Sequence, residues 1–212
     1  MDEQETRSTH VESDVVRAFI AIELDRAVLN ALDKLQVELK REAPGRAVRW
    51  VAGDGIHLTL KFLGDVPAAQ IPAIRAGLER ACQPYKPFGL ACSDLGCFPN
   101  NQRPRVVWVG VRESGGILSA LQQAVEREIA PLGYPTEDRG FTPHLTLGRA
   151  QRAASTEELR RLGDLIASRS VGEIARMEAR SVSLMRSELR SPGAVYTCLA
   201  DVALGARRQI SS

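Results

Sequence analysis

The sequence predicts an α+β fold of two duplicated lobes, with two mixed or antiparallel sheets facing a central groove and helices outside. Three observations lead there. Strand-like segments outnumber helical ones, and several neighbouring strands are joined too tightly for parallel crossovers, which take about a dozen residues or more. The tetrapeptide His-Leu-Thr-Leu occurs at 57–60 and again at 144–147, each copy ending a helix–strand passage and each followed by a basic residue, Lys61 or Arg149. Finally, 44% of the 212 residues are hydrophobic, enough to bury a core.

The elements follow in order. The polar stretch 1–16 has neither the basic start nor the apolar run of a signal peptide and is expected to be a flexible tail. RAFIAIEL (17–24) is apolar and β-branched, a first strand. Asp25 is placed to cap a helix in which Val28, Leu32, Leu35 and Leu39 recur at helical spacing, until Pro44-Gly45 stops it. VRWV (48–51) and IHLTLKFLG (56–64) read as strands, and PAAQIPAIRAGLERAC (67–82) as a helix with proline in its first turn. A similar order then returns. Strands are expected over 87–98 and 105–111, an amphipathic helix over 118–132, a strand over 141–150, and a helix over 155–167 opened by a Ser155/Glu158 capping box. ARSVSLMRSEL and AVYTCLADVAL form a closing hairpin around Ser191-Pro192-Gly193, and 205–212 is a second tail. Residues 17–204 thus make one bilobal domain.

Composition narrows the function. With 28 basic and 26 acidic side chains the net charge is only +2, too balanced to coat nucleic acid over a whole surface but compatible with a local basic patch. No apolar run reaches the roughly 18 residues of a membrane span. Cys82, Cys92, Cys97 and Cys198 form no C-x-x-C pair, so reduced thiols in a cytoplasmic protein are expected.

The repeated tetrapeptide carries the chemistry. Side chains two apart on a strand share a face, so His57, Thr59 and Lys61 point one way while Leu58, Leu60 and Phe62 anchor the strand in the core. His144 and Thr146 repeat the arrangement, backed by Leu145 and Leu147. Each copy offers an imidazole that titrates near neutral pH and a hydroxyl that donates to an anion. One neutral imidazole can deprotonate water and one imidazolium can protonate a leaving oxygen, which is what metal-free phosphodiester cleavage requires. A lone strand histidine is ordinarily a packing residue, but two of only three histidines in one repeated tetrapeptide is not what packing alone produces. His-x-Thr is not a metal-ligand pair, no carboxylate shares either face, and His10 lies in the polar tail. Neither a metal nor a nucleotide cofactor is therefore expected, and no P-loop or G-x-G-x-x-G is present.

Paired H-x-T-x motifs in a duplicated α+β chain resemble the 2H phosphoesterase superfamily. RAFIAIEL, VRWV, HLTLKFLGDV, LGCFPNNQRPRVVWVGV, EDRGFTPHLTLGR and LMRSEL–SPGAVYTCL are similar, in order over about 17–204, to the bacterial RNA 2′,3′-cyclic phosphodiesterases, also called the 2′–5′ RNA ligase family. The resemblance implies a bilobal, pseudo-twofold fold and a metal-independent hydrolase that converts RNA-terminal 2′,3′-cyclic phosphates into 2′-phosphates. It implies His57 as proton donor and His144 as proton acceptor, an assignment the near-identical copies do not make by themselves. The expected partners are RNA 3′ ends or small nucleotides bearing the cyclic phosphate, for a monomeric enzyme with no membrane contact.

The remaining candidates are open in two directions each. Arg149 matches the family's basic residue after the second motif. Strand parity turns it away from His144 unless Gly148 permits a bulge that swings it inward. Lys61 has the parity of a phosphate ligand, but is also read as a solvated strand-end charge. Phe19 is set against either a base or the core. Arg105, Arg139 and Tyr196 stand as groove-rim residues or ordinary surface ones. Weak 2′–5′ ligation is the same chemistry with a ribose hydroxyl in place of water. An RNA-end binder without catalysis is the competing reading from another class, and such a binder has no use for paired acid and base groups.

Overall fold

The first strand, β1 (Val15–Ile22), starts two residues earlier than its apolar pattern predicts, because Val15 and Val16 already pair with Pro67 and Val66. The chain is seen here as a computed structural model that describes residues 15–137, 140–190 and 193–206. Of the tails expected at 1–16 and 205–212, residues 1–14 and 207–212 lie outside the described residues, as do two of the three residues of the Ser191-Pro192-Gly193 turn, and Val15 and Val16 belong to β1 instead.

Helix α1 (Arg26–Glu42) forms where the spacing put it. Asp25 accepts a hydrogen bond from Val28 N at 2.8 Å, and Val28, Leu32, Leu35 and Leu39 are buried along one stripe. Burying each such side chain is worth about 1.5–3 kcal/mol, far more than the helix propensities on the exposed face. After β2 (Val48–Trp50) comes β3 (Leu58–Pro67), which takes up Pro67 itself. The next helix therefore starts later than predicted, as α2 (Ile71–Cys82) behind a 3₁₀ turn, with Pro72 in its first turn. Strands β4 (Phe88–Phe98) and β5 (Val106–Arg112), helix α3 (Ile117–Ile129) and β6 (His144–Ala150) follow. In α4 (Thr156–Ser168) both hydrogen bonds of the Ser155/Glu158 capping box are made. Strands β8 (Ser181–Leu189) and β9 (Ala194–Ala203) form the closing hairpin. The sequence reading lacks β7 (Glu173–Ala179, EIARMEA), a charged edge strand held by its pairing with β4.

All the strands belong to one antiparallel sheet, in the order β7-β4-β5-β6-β3-β1-β8-β9, with β2 on β6. It is nevertheless two halves. The β4–β7 half packs on α1 and α4, and the β1/β3/β8/β9 half packs on α2 and α3. The halves are stitched by a single β3–β6 pair, Leu58 opposite Leu145. These leucines hold the same place in the two copies of the motif. An antiparallel pairing of equivalent residues is a local twofold axis, and from it the register turns His57 towards Thr146 and Thr59 towards His144. The groove opens at this seam.

Candidate active site

Both copies of the motif converge on one cleft of about 490 Å³ at the seam, where His57, Thr59, His144 and Thr146 line the walls together. Three guanidinium groups, from Arg17, Arg49 and Arg149, line it too, and among the described residues no carboxylate does. Such a lining suits an anion, since a low-dielectric cleft with charge of one sign concentrates the opposite sign.

The two imidazoles are held alike and surrounded differently. His144 Nδ1 lies 2.8 Å from the Thr142 carbonyl oxygen, two residues before it, so this nitrogen carries the proton and Nε2 is left for the cleft. On His57 a backbone hydrogen bond with Gly55, also two residues before it, favours the charged ring. There the likeness ends. Phe19 stacks on the His57 ring at 4.5 Å between centroids and Tyr196 meets it edge-on at 5.0 Å, while His144 has one edge contact, Phe98 at 4.9 Å. Burial pushes the His57 pKa down to about 4. The Gly55 hydrogen bond raises it against that trend, and the Arg149 charge lowers it further. At pH 7 His57 is therefore neutral.

Several sequence expectations change in this geometry. Lys61 is not a phosphate ligand: it is 1% exposed and ion-paired with Glu126 of α3. The cause is a pair of bulges in β3. The β1–β3 register skips Leu63 and then Leu60, so Thr59 and Lys61 fall on opposite faces. Phe62, expected in the core, is accordingly 61% exposed at the cleft. Phe19, at 3% exposure, packs against His57 instead of offering a face to a base. Tyr196 lines the cleft and braces the same ring.

Arg149 does reach the site. The β5–β6 register skips Leu147, and beyond this bulge Arg149 is exposed in the cleft and acts on His57. Gly148 lets β2 lie close beside the bulge, because a Cβ there would meet Val48 Cγ1 at 2.5 Å. Arg105 lines a neighbouring cavity rather than the cleft with both histidines. Arg139 lies outside the described residues. Arg17 and Arg49 were not singled out from sequence. Arg17 shares strand parity with Phe19, and Arg49 pairs across β2–β6 with Arg149, signals that mean nothing until the groove face is known. Among the described residues no group of three or more His, Cys, Asp or Glu side chains is placed to hold a metal, and no helix is long and apolar enough to cross a membrane.

The chain is similar to known proteins. A family described as LigT like phosphoesterase matches the chain twice, over 22–108 and 109–196, so the duplication extends to nearly the whole chain. The RNA 2′,3′-cyclic phosphodiesterase of Methanothermobacter thermautotrophicus is 35% identical over 182 residues, 86% of this chain and 95% of the relative. The crystal structure of TT0787 of Thermus thermophilus superposes with a TM-score of 0.73 at 27% identity, over 91% of this chain and all of that one. E. coli LigT complexed with 3′-AMP gives 0.72 at 28% identity with the same coverage.

Proposed function

The chain belongs to the LigT-like phosphoesterase family, and on that premise we propose that it is an RNA 2′,3′-cyclic phosphodiesterase working through His57 and His144. The carrying observation is that both histidines and both threonines of the duplicated motif line one arginine-rich cleft. The relatives' name and the 3′-AMP held by E. coli LigT support a nucleotide phosphate as occupant.

In this reading the cyclic phosphate lies between the rings, its non-bridging oxygens met by Thr59, Thr146 and the arginines. His144, with Nδ1 donating to Thr142, presents the lone pair of Nε2 and takes a proton from water. The water oxygen bonds to phosphorus, the P–O3′ bond breaks, and His57 gives its proton to O3′. The product is a 2′-phosphomonoester, one water heavier than the substrate. His57 takes up this proton from solvent when the phosphate binds, because the phosphate's negative charge offsets the desolvation and the Arg149 charge that hold its pKa near 4. Attack by a ribose 5′-hydroxyl in place of water would use the same groups and make a 2′–5′ link. One chain supplies both motifs, so a monomer suffices, and four unpaired cysteines accord with a cytoplasmic protein.

The test is turnover of an oligoribonucleotide ending in a 2′,3′-cyclic phosphate in excess EDTA. The 2′-phosphate should accumulate at the rate seen without chelator, since the described residues lining the cleft offer imidazoles and hydroxyls and, among them, no carboxylate. Tight binding without turnover would favour an end-binding module, and activity lost on chelation would refute the metal-free mechanism.

A further inference from the structure

Lys61 is among the most buried side chains of the protein, and catalysis as described gives it no task. Its ammonium is paired with Glu126 of α3 and donates to the Pro135 carbonyl at 2.7 Å. Gln122 closes the network, donating to Glu126 at 3.1 Å and to the Leu60 carbonyl at 3.4 Å. A buried ion pair adds little stability over apolar side chains of the same volume, because desolvation consumes the attraction. What it does supply is a fixed geometry.

The geometry concerns the segment between α3 and β6. Residues 134–137 and 140–143 have neither helix nor strand, so their placement depends on individual tethers. Lys61 holds Pro135, and Val111 N donates to the Pro143 carbonyl at 3.1 Å. Between these tethers Glu137, Phe141 and Thr142 form one wall of a second cavity of about 520 Å³, faced by Phe62, Phe98 and Arg105. The volume lies within the roughly 300–1,000 Å³ usual for small-molecule sites. This cavity shares Thr59, Phe62 and His144 with the catalytic cleft, so its occupant would touch a phosphate held there. Aromatic faces beside a cation suit a nucleobase.

We propose that Lys61 is a positioning residue which, paired with Glu126, clamps the segment after α3 as the wall of this cavity, and that the cavity receives the nucleoside carrying the cyclic phosphate. The inference rests on the function proposed above. Lys61→Met alone strands a buried carboxylate and should lower Tm. Lys61→Met with Glu126→Gln removes both charges and should recover it. If the pair is a clamp, the double variant regains Tm yet keeps KM for adenosine 2′,3′-cyclic phosphate about tenfold raised, with kcat little changed. Amides of 134–137 should also exchange with solvent faster than in the wild-type protein. Recovery of Tm and KM together, or unchanged exchange, overturns the clamp. Should the double variant not fold, Phe141→Ala takes its place, and an unchanged KM overturns the nucleoside cavity. Exchange is read whether or not the enzyme turns over, so a wild-type protein inert on the cyclic phosphate refutes the functional reading and leaves the clamp to be judged separately.

Discussion

His57 and His144 occupy the same tetrapeptide, precede leucines that pair with each other across the seam, and are each tied to a backbone position two residues upstream. Their surroundings nevertheless diverge. His57 lies under Phe19 and against Tyr196, contributed by β1 and β9, which belong to its own half of the sheet. The one aromatic ring that His144 meets among the described residues is Phe98, edge-on, from β4. Duplication supplies two equal imidazoles, and the residues around them make the groups unequal. Acid–base catalysis needs one ring protonated and the other neutral, and the burial of His57 favours its neutral form, so the charge of a bound phosphate is what would let it serve as the acid.

The largest effect that sharpens the contrast is removal of either ring. His57→Ala and His144→Ala should each lower kcat on a cyclic phosphate by about 10²–10⁴-fold. A residue that mattered to packing alone would show its loss in Tm instead. Near-normal rates in both variants would end the two-histidine mechanism.

A smaller effect probes the environment of His57. With its pKa held at about 4 by burial, kcat/KM should rise with pH through a limb near 4 that belongs to the free enzyme. Tyr196→Ser admits water to the ring, and relief of desolvation favours the charged form, so the limb should move up towards 6.5. A limb that stays in place would mean that Tyr196 does not set the environment of His57. The position of the limb does not say which histidine is the acid, since a pair titrates as a pair and either proton arrangement gives the same bell.

The contrast also marks how far sequence reasoning reached. Cap and spacing signals are local, so Asp25 and the Ser155/Glu158 box gave α1 and α4 to within a residue. The repeat was legible because two histidines and two threonines stand out against leucines. The bulges were not. Leu60 and Leu63 carry no mark that they will be skipped, yet each skip reverses every side chain beyond it, sending Lys61 into the core and Phe62 to the cleft. Phe19 is open in the sequence for a related reason: an aromatic beside a catalytic ring serves base stacking and packing equally well until its exposure is known, and at 3% exposure it packs. Arg17 and Arg49 became meaningful only when β1 and β2 were placed around the seam.

That identical motifs do different work is tested most directly by changing what the acid must do. An aryl phosphodiester with a good leaving group needs no proton donor, while its attacking water still needs a base. With His57 as donor, His57→Ala should regain much of its lost rate on that substrate relative to the cyclic phosphate, and His144→Ala should regain none. Recovery by His144→Ala in place of His57→Ala would reverse the two roles and contradict the assignment.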